Sequence, residues 1–240
     1  MAAHQETIKG SGTGTSIVSG SMTSAGSELW LVSALVYDAG GAVTITAQLD
    51  GVTSFTRDRS QLLDVPGGNA NEEQLAIFSL PDVASGSHSV TVAFTGINVD
   101  AVTIFVSRFS GMATSSVVDG TGASATGTST AAASGTFTTT NSDGVFYGAA
   151  FTESGSNPAT VTNSTWTIPT NGSELDGSAN IVGGVAYLIN PGTTSGNAQF
   201  TVDNVAWIAM GIGYKVAVAA ASNIIPPHYG RPFPYTPGSR

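Results

Sequence analysis

The sequence predicts an all-β protein built on antiparallel sheets packed as a β-sandwich. Only 10% of the residues are charged, and Gly, Ser, Thr and Ala replace them, which disfavours helices and favours short strands joined by tight turns. Three strand-like runs in Gln74–Gly111 are interpreted as a meander, and alternation within it puts Val90, Val92 and Phe94 on one face. Because an apolar sheet face needs a covering layer, this meander predicts a second sheet.

The strands of the first half follow from apolar patterns and turn residues. Residues 1–14 are polar and rich in Gly, Ser and Thr, which favours a flexible lead-in or an arm that orders on a partner. Ser27–Tyr37 is a near-continuous apolar run, as expected of a strand buried on both faces. Val43–Leu49 alternates cleanly, and Asp50-Gly51 after it is the strongest hairpin signal in the chain.

The second half begins after a segment of low complexity. Residues 113–133 are almost entirely small and are interpreted as a linker between domains or a long crossing connection within one. Val145–Phe151, Val182–Ile189 and Trp207–Val218 then supply apolar strands. The expected organisation is an N-terminal arm (1–14), a first half (15–112), a connection (113–133), a second half (134–222) and a C-terminal arm (223–240).

The two halves repeat the same order of parts. The similarity between the halves is clearest in two segments, one from Ala76 and one from Val185. Each contains a strand, a Pro, a turn of small residues and a second strand, in that order. This predicts a structural duplication, and the alternative is one large sandwich whose strands share similar turns.

Eight segments in order carry a resemblance to a known kind of domain: SELWLVSALV, the hairpin at Asp50-Gly51-Val52, LAIFSLPDVASGSHSVTVAFT, AVTIFVSRFSG, DGTGASATGTST, DGVFYGAAF, NSTWT and AWIAMGIGY. From about Thr13 to Val218 the chain resembles a β-sandwich domain of phage virion proteins and multidomain bacterial surface proteins. The resemblance implies a jelly-roll-like sandwich used for display or attachment, usually as a multimer. It brings no catalytic residues with it.

Charge and composition exclude several classes of partner. The net charge of −9 argues against nucleic acid and against an anionic membrane surface, since both need clustered Lys and Arg. There is no cysteine, no apolar stretch of about twenty residues and no signal-peptide pattern at the N-terminus. We therefore expect synthesis in a host cytoplasm and no membrane span, and the resemblance to phage virion domains implies a virion location.

Residues of the types that catalyse reactions or bind metals do not form a recognised motif in this sequence. His4, His88 and His228 lack metal-ligand spacing, and no G-x-S-x-G motif surrounds any serine. Asp58 and Asp64 predict surface ion pairs with the neighbouring arginines, or a calcium site. We expect no catalytic residue, no metal and no cofactor. An enzyme, most plausibly a glycan hydrolase, would need two carboxylates converging in a cleft.

The C-terminal segment, residues 223–240, has the composition of a docking arm. Its five prolines exclude a helix or a central strand, and its aromatic and Arg residues are the types that dominate binding hot spots. The alternatives are that it folds back on its own body or is disordered. The predicted contacts with neighbouring virion proteins are Ile225, Tyr229, Arg231, Phe233 and Tyr235.

A second hypothesis is a carbohydrate- or receptor-binding module, at a tail tip or on a surface protein, that binds a host glycan. It requires exposed aromatic rings on which a sugar can stack, and Trp166 and Tyr187 are the candidates. Alternation with Ile168 instead predicts an inward Trp166 ring.

Overall fold

The structure, a computed structural model, describes residues 1–37, 43–63, 73–95, 99–152, 155–176 and 181–218. Over these residues the chain is all-β, without helix, and its antiparallel sheets include a curled half-barrel, which confirms the predicted class. The described residues contain no helix long and apolar enough to cross a membrane. The strands are β1 (Ala3–Gly14), β2 (Ser16–Val18), β3 (Met22–Ser24), β4 (Glu28–Tyr37), β5 (Thr44–Leu49), β6 (Thr53–Ser54), β7 (Thr56–Leu63), β8 (Glu73–Val83), β9 (Gly86–His88), β10 (Val90–Thr95), β11 (Val99–Ser110), β12 (Val118–Ala133), β13 (Phe137–Thr138), β14 (Val145–Thr152), β15 (Thr160–Val161), β16 (Ser173–Asp176), β17 (Ile181–Ile189), β18 (Ser195–Gly196) and β19 (Gln199–Tyr214).

The strands of the first half pair as a nested series. The first strand pairs with the last, β1 with β11, and then β2 with β10, β3 with β9, β4 with β8 and β5 with β6. These pairs make a large sheet of order β1-β11-β4-β8-β7, a small sheet of order β2-β10-β5-β6 and the short pair β3-β9. The meander predicted for Gln74–Gly111 is wrong, because β10 lies in the small sheet while β8 and β11 lie in the large one.

The large sheet of the second half has the same strand order. Its strands run β16-β17-β14-β19-β12, and the path continues through β13 to β18. Numbered within each half, both large sheets place the first strand beside the fifth, then the second, the fourth and the third. The pairs β12–β19, β13–β18 and β14–β17 are also nested.

Three buried apolar clusters separate the sheets. The central cluster joins the large sheets of the two halves and contains Leu31, Phe105, Tyr147 and Ile208. A second cluster lies between the large and small sheets of the first half, and a third lies on the outer face of the second large sheet. Consequently β4 is buried on both faces, as the apolar run Ser27–Tyr37 predicts, and β14 is buried along its whole length.

Two segments expected to be irregular form strands. The N-terminal arm predicted at 1–14 contains β1, whose residues from Ala3 to Gly14 pair with β11. The connection predicted at 113–133 contains β12, which pairs with β19 over most of its length. Small polar residues give a weak apolar pattern, but their backbones complete the hydrogen bonding of an apolar neighbour strand.

The hairpin predicted at Asp50-Gly51 is confirmed. Both residues have positive φ, 50° and 71°, and they connect β5 to β6. Positive φ at both central positions is the geometry of a type I′ turn, which matches the twist of paired strands.

Candidate functional site

The predicted docking residues follow the last described strand. Ile225, Tyr229, Arg231, Phe233 and Tyr235 all lie outside the described residues. The described chain ends at Val218, which borders an open groove of about 640 Å³ that we call the terminal groove. It is lined by Met1, Ala2, Asn141, Asp143, Asn190, Lys215, Val216, Ala217 and Val218.

Trp166 is not the exposed platform that sugar stacking requires. Only 6% of it is exposed, and it belongs to the third apolar cluster, where its ring centroid lies 6.4 Å from that of Phe146. A tight turn places it there, because the Trp166 N–H donates to the carbonyl of Asn163 at 3.1 Å. The inward orientation predicted from the alternation with Ile168 is therefore the one observed.

A second groove, which we call the amide groove, passes over one edge of the Trp166 ring. Its volume is about 470 Å³. Its lining combines carboxamides, hydroxyls and a few apolar side chains, namely Phe146, Asn163, Thr165, Trp166, Leu188, Asn190, Pro191, Thr193, Ser195, Gly196, Asn197 and Gln199.

Tyr187 lies in a third groove, at the junction of the two halves. Its ring stacks on His4 of β1, with ring centroids 4.6 Å apart and planes 17° apart. Burial lowers the pKa of His4 and raises the pKa of Tyr187. Close by, Lys9 pairs with Glu174 of β16, and the Asn171 amide donates to the carbonyl of Thr7 at 3.3 Å. Tyr187 and Trp166 therefore line different grooves, and the Tyr187 ring contacts β1 through His4.

Asp58 joins the two halves instead of binding a neighbouring arginine. Its Oδ2 accepts the Tyr214 hydroxyl at 2.7 Å, and its Oδ1 accepts the Ser79 hydroxyl at 3.0 Å. Burial raises the pKa of Asp58, and these two hydrogen bonds oppose the rise. Both oxygens are thus engaged by hydroxyl donors. Asp64, the other residue of the predicted calcium site, lies outside the described residues.

The two arginines predicted to form surface ion pairs bind other groups. Arg57 donates to the carbonyl of Ile45 and lies over the Phe78 ring, 5.5 Å from its centroid. Arg59 donates to the Ser124 hydroxyl of β12 at 2.9 Å. For Asp58 the prediction was wrong, because its carboxylate and both guanidinium groups meet residues far away in the sequence. A pair with Asp64 lies outside the described residues.

His88 is held as a donor on both ring nitrogens. Its Nδ1 lies 2.7 Å from the Asp50 carboxylate, and its Nε2 lies 3.1 Å from the carbonyl of Ala84. Both partners accept hydrogen bonds, so the geometry favours the imidazolium, and the pKa of His88 is raised. An imidazolium has no free lone pair, so His88 in this arrangement neither binds a metal nor acts as a base.

His88 and Asp50 do not belong to a larger metal-binding cluster among the described residues. His4 lies in β1 and not in a tail, and His228 lies outside the described residues. Among the described residues there is no cluster of three His, Asp or Glu side chains able to hold a metal ion. A comparison with models of known protein families finds no match, and a comparison with curated proteins finds no similar sequence.

Proposed function

We propose that this protein is a structural component of a bacteriophage particle, which decorates or reinforces the capsid or tail. In this proposal the layered body is the displayed part, and residues 223–240 dock it on neighbouring virion proteins. The observation that carries the proposal is where β19 leads the chain, because the residues just after it, Lys215 to Val218, line the terminal groove. Val218 borders the terminal groove at one end of the stacked sheets, and the Pro- and aromatic-rich segment follows directly.

The finer fold that we propose is a β-sandwich of the jelly-roll type, repeated in two halves. Nested pairing supports it, since a jelly roll is a long hairpin folded so that its strands divide between two sheets. The shared strand order of the two large sheets supports a duplication. Jelly rolls are common in viral capsid and lectin domains, which agrees with a display role but does not by itself define one.

Polar contacts between the halves favour a rigid body. Tyr147 of β14 bonds the Ser33 hydroxyl of β4 at 3.1 Å, within the central apolar cluster. The Asp58–Tyr214 and Lys9–Glu174 contacts lie nearer the sheet edges. A body fastened at its centre and edges suits a protein whose ordered part must withstand assembly while a separate segment makes the attachment.

The docking segment would bind by apolar anchoring. In the proposal, Ile225, Tyr229, Phe233 and Tyr235 fill pockets on the neighbouring protein, and Arg231 pairs with an acceptor there. Its prolines restrict the free chain, so less entropy is lost on docking. Self-association of the displayed bodies is part of the same proposal.

Particle binding by truncated and substituted proteins tests this function. Deleting residues 223–240 should abolish co-sedimentation with particles and leave a folded body, and Tyr229→Ala with Phe233→Ala should reduce the bound fraction about tenfold or more. Ser239→Ala, in the same segment, is the matched control and should bind as the natural chain does. Unchanged incorporation of the truncated protein would refute the docking role.

A further inference from the structure

The amide groove of the second half has the chemistry of a saccharide site, and we propose that it binds a neutral oligosaccharide. This site lies on the body of the protein and not on residues 223–240, and it shares only Asn190 with the terminal groove. It also differs from stacking on an exposed tryptophan, because polar side chains along the groove make most of the contacts.

The amide groove is lined by many polar groups. Four carboxamides line the groove, those of Asn163, Asn190, Asn197 and Gln199. Each carboxamide both donates and accepts, and hydroxyls from Thr165, Thr193 and Ser195 add to this set. A sugar ring presents neighbouring hydroxyls that also donate and accept, so the two sets are complementary.

Several of these polar groups remain available to a ligand. Neither Asn190 nor Gln199 has a side-chain hydrogen bond to any other described residue. Asn163 uses its Oδ1 to accept from the backbone and hydroxyl of Thr165, at 3.0 and 2.9 Å, which leaves its NH₂ group. The available groups therefore include whole carboxamides as well as single donors.

The charge of the groove favours a neutral ligand. None of the described side chains lining the groove is ionisable. An anionic sugar would find no Arg or Lys to pair with and would meet the field of a chain whose net charge is −9. The lining therefore selects a neutral ligand.

The groove also has apolar lining residues and a volume suited to a small ligand. Leu188, Pro191 and Trp166 offer apolar surface for the C–H face of a sugar. The volume of about 470 Å³ lies within the range typical of small-ligand sites. A positive φ of 50° at Asn190 and the Asn163 turn fix the backbone on two sides of the groove, so the rim is preformed.

The test begins with the purified full chain on a glycan array. The array carries neutral oligosaccharides of hexoses and N-acetylhexosamines, each beside its sialylated counterpart. We expect binding to one or more neutral members and no gain from sialylation, with calorimetry giving the dissociation constant for the best of them.

Variants then place the binding in the groove. Gln199→Ala and Asn190→Gly should each weaken binding up to about tenfold, as expected for loss of a single hydrogen-bonding group, and glycine keeps the positive φ at 190. Gln48→Ala is the matched control, because Gln48 is also half-buried on a strand but lies in the first half. It should change the dissociation constant less than twofold.

Thermal unfolding of each variant separates loss of the ligand from loss of the fold, since all three should melt at the temperature of the natural chain. The proposal is overturned if no neutral oligosaccharide binds at millimolar concentration, if sialylated members bind better, or if the double variant at 190 and 199 binds as tightly as Gln48→Ala.

Discussion

The hydroxyl of Tyr214, fully buried at the end of β19, donates to the carboxylate of Asp58 on β7 at 2.7 Å. The two residues lie in different halves of the chain. A hydrogen bond from a hydroxyl to a half-buried carboxylate is stronger than one between two neutral groups, and it is costly to leave unmade. This contact therefore makes the position of one large sheet over the other depend on a polar group as well as on the central apolar cluster.

Tyr214→Phe should destabilise the protein by about 1.5–3 kcal/mol, because it leaves one oxygen of a charged acceptor without its partner. Tyr147→Phe is the matched control, since Tyr147 is equally buried and also bonds across the halves, but to the neutral Ser33 hydroxyl. It should cost about 0.5–1.5 kcal/mol. Urea unfolding measures both losses of stability. An equal or larger loss for Tyr147→Phe would contradict a stronger hydrogen bond to the charged acceptor, Asp58.

The free energy of unfolding of the Asp58→Asn variant, relative to that of the natural chain, should increase as pH rises. Burial raises the folded-state pKa of Asp58 above its ordinary value of 3.8. The protonated Asp58 carboxyl thus contributes its full stability below pH 3.8. This contribution is lost as pH rises through the raised folded-state pKa. Unfolding free energies at about pH 3 and about pH 7 test this. The control is Asp100→Asn, at an exposed position on β11. If the unfolding free energies of Asp58→Asn and the natural chain differ by the same amount at both pH values, the prediction is refuted.

The two described histidines should titrate on opposite sides of 6.5. Burial lowers the pKa of His4, while the hydrogen bond to Asp50 raises the pKa of His88. Stability from the His88–Asp50 pair is complete below pH 6.5 and is lost as pH rises through the raised pKa of His88. At the acid end it is lost as pH falls through the Asp50 pKa, which is lowered below 3.8.

Imidazole chemical shifts followed by NMR measure these two midpoints. Asp50→Asn should lower the midpoint of His88 and leave that of His4 unchanged, and asparagine tolerates the positive φ at this position. His228→Ala identifies the third imidazole signal. A His88 midpoint that does not respond to Asp50→Asn would show that the pair does not form in solution.

Gly148→Ala should destabilise the protein by about 1–3 kcal/mol through overpacking of the third apolar cluster. A methyl group at this position of β14 would lie 2.3 Å from the Cβ of Ala198 and 3.3 Å from the Trp166 ring. Gly12→Ala in β1 is the control, because its nearest described neighbour is 3.6 Å away. Ala198→Gly in the same chain should restore part of the loss, and a strictly additive double variant would argue against this contact.

Some features of the grooves could be predicted from sequence and others could not. The alternation of Trp166 with Ile168 indicated the inward ring that is observed, although a tight turn and not a strand places it there. The stacking of Tyr187 on His4 could not be predicted, because a polar N-terminal segment shows no sign of pairing with β11 about a hundred residues later. The amide groove was missed for a similar reason, since Asn163, Asn190 and Gln199 are scattered loop and strand-end residues until the fold brings them together.

The sequence by itself determined the all-β class, the doubly buried strand within Ser27–Tyr37 and the hairpin at Asp50-Gly51, because periodicity and turn geometry depend on neighbouring residues. Only the tertiary structure decided that β1 and β12 are strands, that β10 crosses to another sheet and that Asp58 meets Tyr214. Those outcomes depend on backbone hydrogen bonds and side-chain contacts between residues far apart in the chain. The local sequence pattern of either segment does not reveal these contacts.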